Sequence, residues 1–146
     1  MTPQDAAGTD RPHPPGWRPD LLEGFERRDL PLSAQPLPGE APEPLVGTLV
    51  RRVDPALRAG ARAVLHVHGW NDYFFQTPVA DFWERQGARF FALDLRKYGR
   101  SIREHQTPGF IRDLATYDEE IGAALVTMGH PAPAPADATG GDTALV

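Results

Sequence analysis

The alternation of apolar and polar positions changes character along this chain, and each change predicts an element. Residues 21–32, "LLEGFERRDLPL", form a weak strand candidate. Residues 44–53, "PLVGTLVRRV", are a stronger one, because Leu45, Thr48 and Leu49 interleave with Val46 and Val50 and β-branched residues are frequent. The Pro- and Gly-containing link between them predicts a loop, so the two read as a hairpin-like antiparallel pair. Residues 62–67, "RAVLHV", are instead a short, nearly continuous apolar run, the pattern of a strand buried on both faces in a parallel sheet. A helix follows, with Thr77 as its cap and Pro78 at its first position. Val79, Phe82, Trp83 and Gln86 follow at helical spacing, and Gly87 ends it. "ARFFALDL" (88–95) is the next buried strand and "KYGRSIREHQ" a polar loop. Thr107-Pro108 repeats the cap-plus-proline signal. Phe110, Leu114, Tyr117, Ile121 and Ala124 then give one apolar stripe, ended by Gly129 and Pro131.

The order β, β, β, α, β, α predicts an α/β domain with a parallel sheet and right-handed crossovers. Ligands of such sheets bind in the loops after the C-terminal ends of the strands. Two loops hold that position, "HGWND" after 62–67 and "LRKYGRS" after 88–95.

Composition narrows the classes. The 146 residues suit one domain, and the net charge of -5 argues against a nucleic-acid partner, which needs a basic face. Cysteine is absent, which removes disulfides, thiolate metal sites and a thiol nucleophile. No run of residues has the length of a transmembrane helix and the N-terminus lacks the features of a signal peptide, so a cytoplasmic protein is expected. Proline and glycine crowd the ends. Residues 1–20 and 130–146 read as disordered or loosely attached, and 21–129 as the folded part.

Three chemistries compete at "HVHGWND". His66 and His68 are two apart on a predicted strand, so they share a face and could share a metal ion. A third ligand is not evident. The plain alternative is one packed histidine and one that bonds the turn. In the third reading, Gly69 permits a tight turn through its tolerance of positive φ, and the backbone N–H groups beyond it point into the crevice above the sheet. There they would stabilise developing negative charge in acyl transfer.

"ALDLRKYGRS" favours the third. With "HGWNDYFFQTPVADFWERQGARFF" before it, this segment resembles the α/β-hydrolase superfamily, in its lysophospholipase, monoglyceride-lipase and serine-aminopeptidase-like branch. Asp94, Arg96, Gly99 and Ser101 match the family's Asp-x-Arg-Gly-x-Gly-x-Ser loop, with Lys97 where glycine is commoner. The resemblance spans about residues 21–129. It implies a partial α/β-hydrolase fold, with an antiparallel strand pair before a parallel β-α-β-α unit. It implies that Trp70 offers an oxyanion-hole donor through its backbone N–H, with His68 and Gly69 forming the turn. Asp94, Arg96, Gly99 and Ser101 would brace the neighbouring loop. The substrate would be a small ester or lipid-like molecule, with no cofactor and no resident metal.

The family also needs a Gly-x-Ser-x-Gly elbow, then an acid and a histidine. The chain has two serines, Ser33 in a Pro-rich loop and Ser101 in "GRSIR", and neither has that setting. "DATGGDTALV" (137–146) resembles a degenerate elbow with Ala138 in the serine position. A truncated hydrolase, inactive as written, is therefore expected. Strand 62–67 would be left with an open edge through which the chain could self-associate. A non-catalytic module that pairs this edge with a partner is the alternative from another class.

Overall fold

The computed structural model describes residues 13–40, 42–59 and 62–131. They form a mixed α/β structure with one five-stranded sheet and two helices. The strands are β1 (Arg18–Pro19), β2 (Phe25–Pro31), β3 (Val46–Arg52), β4 (Arg62–Val67) and β5 (Ala88–Asp94), arranged in the order β1-β2-β3-β5-β4. Helix α1 (Thr77–Arg85) joins β4 to β5, and α2 (Asp118–Thr127) follows β5.

Period-2 alternation sorts the core into two layers. Val50, Val64, Phe90 and Ala92 pack with Phe25, Phe74 and Ala80 of α1. Leu49, Leu65, Phe91 and Leu93, their immediate neighbours in sequence, pack with Ala124 of α2 and with Leu30, Tyr98 and Met128. The two helices therefore cover opposite faces. Strand β5, between β3 and β4, is covered on both and is buried at six of seven positions.

Several expectations change. The sheet is parallel only between β4 and β5, because β2 and β3, and β3 and β5, run antiparallel. The expected hairpin-like pair is present as β2 and β3, and β1 adds a short antiparallel strand to its outer side. The folded part also begins before residue 21. Trp17 is buried under the guanidinium of Arg51, 3.8 Å from its ring centroid, and Arg18 pairs with Asp29. Proline richness hid this anchor. Residues 1–12 and the elbow-like segment with Ala138 lie outside the described residues.

The helix starts move as well. Gln76 rather than Thr77 takes the cap position of α1, without a side-chain bond, and Pro78 lies in its first turn. Residues 107–113 are not helical. A 3-10 turn spans Leu114–Tyr117, its start capped by the Asp113 carboxylate, which accepts from the Ala115 N–H. Phe110 and Leu114 are consequently exposed rather than part of a buried stripe. Among the described residues no helix is long and apolar enough to cross a membrane.

Candidate functional site

The loops after β4 and β5 lie side by side because those strands are parallel neighbours, Val67 beside Leu93. The β5 loop is the firmer of the two. Asp94 is fully buried, and its carboxylate accepts from the Phe74 N–H (3.0 Å), the Arg100 N–H (3.0 Å) and the Arg100 guanidinium (2.8 Å). One side chain thus ties the β4 loop to the β5 loop. Arg100 reaches further. It also donates to the Phe74 carbonyl (2.9 Å) and to both carboxylate oxygens of Asp20 (2.7 and 2.8 Å). Burial works against the ionised Asp20, but the bonds from Arg100 and the Leu22 N–H, with the charges of Arg100 and Arg27, outweigh it. Its carboxyl is held below the ordinary range.

Arg96 is buried and donates to Glu120 through two nitrogens (2.9 and 2.6 Å), to Glu119 (3.1 Å) and to the Thr116 carbonyl (3.0 Å). Glu120 belongs to the first turn of α2, where a carboxylate also suits the helix dipole. Burial opposes the Arg96 charge and these carboxylates outweigh it, so its pKa is raised. Ser101 is buried too; its Oγ donates to the Asp94 carbonyl (2.7 Å) and lies 3.0 Å from Thr48 Oγ1. It has no freedom to act as a nucleophile. Ser33 is held by Glu119, 2.6 Å from its Oγ.

Gly99 has φ +41°, and a Cβ there would lie 2.5 Å from Tyr73 Cβ and 2.6 Å from Asp94 Oδ2. The position admits no side chain. Lys97, where the resembled family favours glycine, has φ +63°. This is the left-handed backbone that glycine adopts without steric cost. Lys97 holds it with an ion pair to Glu40 (2.8 Å) and a bond to the Phe110 carbonyl (3.2 Å).

The β4 loop is organised by His68. Its Nε2 accepts from the Leu95 N–H (3.0 Å), which leaves the proton on Nδ1, 2.8 Å from the Gly69 carbonyl. The buried ring stacks edge-on to Tyr98 at 4.8 Å. Carbonyl and N–H of one trans peptide point in opposite directions. With the Gly69 carbonyl turned to the imidazole, the Trp70 N–H faces the other way, and among the described residues it meets no acceptor. The Trp70 side chain is 81% exposed. Beside it opens a cleft of about 530 Å³ lined by Val67, Trp70, Leu95, Tyr98, Ile111, Leu114 and Tyr117, with Arg112 and Asp113 also in its lining. That volume suits a small ligand. Burial, followed by the neighbouring Tyr98, raises the pKa of Tyr117 and keeps it protonated.

Two expectations about this loop are corrected. The left-handed residue is Asn71 (φ +55°), not Gly69, and a Cβ on Gly69 would meet open space. Asn is among the residues that tolerate this conformation. The two histidines also part company. His66 packs against Phe74 and Phe90 on the α1 side, whereas His68 lies beyond the end of β4 and turns to Tyr98. Alternation stops where the strand stops. Among the described residues no group of three His, Asp or Glu side chains could hold a metal ion.

The structure thus brings His68, Gly69 and Trp70 to the cleft and sets Asp94, Arg96, Gly99 and Ser101 behind it. Arg100, Asp20 and Glu120 escaped the sequence. Arg100 lies inside the quoted motif, but nothing local marks Asp20, 80 positions earlier, as its partner. Comparison of the chain with models of protein families, with curated proteins and with solved structures finds no match.

Proposed function

We propose that this chain carries the oxyanion-hole part of an α/β-hydrolase of the lysophospholipase, monoglyceride-lipase or serine-aminopeptidase kind. Its substrate is a small ester or lipid-like molecule, and its chemistry is acyl transfer to a serine. The observation that carries the reading is the Gly69–Trp70 peptide, whose carbonyl is held by His68 and whose Trp70 N–H meets no acceptor among the described residues, with all three residues lining the cleft. A fixed donor of this kind stabilises the oxyanion that develops as a tetrahedral intermediate forms. The succession of β4, His-Gly loop, α1, β5 and Asp94–Ser101 loop, with its helices on opposite faces, supports the same reading.

The nucleophile is not among this chain's serines, because Ser101 is buried and bonded and Ser33 is engaged by Glu119. On this reading the 146 residues alone are inactive, and the outer side of β4, without a partner among the described residues, is where a nucleophile-bearing strand would seat. The test is fluorophosphonate labelling of the protein from its native source, read by intact mass. The expected labelled species contains peptides of this chain and exceeds 16.0 kDa, while the 146-residue chain alone stays unlabelled. In the labelled species, Trp70→Pro removes the donor and lowers kcat about 10²- to 10³-fold. A native protein of 16.0 kDa that takes no label and cleaves no ester or amide defeats the acyl-transfer reading. The open side of β4 favours a second reading, a module that binds an extended peptide by strand addition. Retention of peptide on the unlabelled native chain distinguishes it.

A further inference from the structure

Among the described residues the imidazole of His68 is the sole side chain that bonds both the Gly69 carbonyl and the Leu95 N–H, and it can do so in one protonation state. We propose that His68 is a positioning residue that makes the Trp70 donor conditional on a neutral ring, so that acid disarms the site. The consequence for catalysis rests on the acyl-transfer reading above; the clamp itself does not.

In the neutral Nδ1–H tautomer, one nitrogen gives a hydrogen bond and the other receives one. A second proton on Nε2 turns the acceptor into a donor and sets it against the Leu95 N–H at 3.0 Å. The ring is buried against Tyr98 on the wall of the cleft. Either the Leu95 bond breaks or the ring leaves its position, and in the second case the Gly69 carbonyl loses its anchor. The 69–70 peptide can then turn, and the direction of the Trp70 N–H is no longer fixed.

The charged and titratable groups around the ring do not offer a substitute. His66 lies two residues earlier on β4, and its ring packs between Phe74 and Phe90 on the other side of the sheet. Tyr98, from the β5 loop, presents its ring edge-on. Arg112, Asp113 and Tyr117 reach the shared cleft from the segment opposite. Asp72 bonds its neighbour's N–H, and Asp94 is committed to Phe74 and Arg100. Among the described residues none of these carboxylates bonds the His68 ring, so a charged ring gains no acceptor in place of the lost one.

The test uses the full chain labelled with ¹⁵N and followed by NMR as the pH is lowered through the range in which imidazoles charge. The expected start is a neutral His68 with its proton on Nδ1. As the second proton binds, the Leu95 and Trp70 amide resonances move with the same midpoint as the His68 ring, and the protection of the Leu95 amide from hydrogen exchange falls at least tenfold. His68→Gln, which can still accept from Leu95, keeps that protection but removes the pH dependence. Nε2–H as the neutral tautomer, or Leu95 and Trp70 amides that stay still while His68 titrates, overturns the proposal. Neither result depends on turnover. A clamp that opens as described, in a chain whose native protein has a mass of 16.0 kDa, takes no fluorophosphonate label and cleaves no ester or amide, refutes the acyl-transfer reading alone.

Discussion

The loops after β4 and β5 begin at adjacent positions in the sheet and are built in opposite ways. In the β5 loop every side chain from Asp94 to Tyr98 is buried, and the charged ones among them are matched by partners on other elements: Asp94 with Arg100, Arg96 with Glu120, Lys97 with Glu40. In the β4 loop Trp70, Tyr73 and Phe75 are exposed, and fixed points exist at its two ends, His68 and Phe74. The contrast separates scaffold from working surface. Charge and burial are concentrated in the β5 loop, and exposed aromatic area is left in the β4 loop beside the cleft.

The sharpest way to break this comparison is to open the buried ion pair. Arg96→Ala leaves Glu120 buried without its cation, and a loss of about 3–5 kcal/mol in urea unfolding is expected. Arg96→Met combined with Glu120→Leu should cost less than Arg96→Ala alone, because no charge is stranded. A single-variant loss below about 1 kcal/mol shows that the pair is not what holds α2 to the loop. Next in size is Gly99→Ala. The added methyl collides with Tyr73 and Asp94, which join the two loops, at a left-handed backbone position, and a loss of about 1–3 kcal/mol follows.

Much of this contrast was visible in the sequence, and the reasons for the rest are physical. The runs 62–67 and 88–95 stood out because strands covered on both faces are apolar without alternation. The loop residues Asp94, Arg96, Gly99 and Ser101 stood out through their resemblance. What misled was local pattern without its long-range partner. Phe110 and Leu114 fit a helical stripe, yet Gly109 has φ +62°, outside the helical region, and a Cβ there would lie 2.5 Å from the Tyr98 hydroxyl oxygen. Asp113 marks the 3-10 turn that precedes α2, and the acidic run Asp118–Glu120 marks the first turn of α2 itself. Trp17 looked like part of a loose end, because its partner Arg51 lies more than thirty positions away. The antiparallel placement of β3 beside β5 depends on which strands pair, and no periodicity reports that.

A smaller effect probes the strand that feeds the exposed loop. Burial, and then the charge of His68, lowers the pKa of His66, while Asp72 and Asp94 partly offset this. A base whose folded pKa is depressed binds protons more readily when unfolded, so stability is present above the ordinary imidazole value of 6.5 and falls as pH drops through it. Melting temperatures taken between about pH 8 and pH 5 should decline toward acid, and His66→Leu should remove part of the slope. An unchanged slope assigns the acid sensitivity to other groups. The smallest effect is expected at the working surface. Trp70→Ala should leave unfolding free energy within about 0.5 kcal/mol of the parent, and a loss comparable to that of Gly99→Ala would erase the division between the loops.

Because the β4 loop is pinned at His68 and again at Phe74, the residues between are separable from the rest of the molecule. Their spelling can drift, lengthen or be exchanged for another apex while both anchor points and the sheet beneath stay as they are. A change to an exposed side chain between the anchors, such as Trp70, can reshape the rim of the cleft while the backbone of Gly69 and Asn71 and the packing of Tyr73 on Gly99 stay as they are.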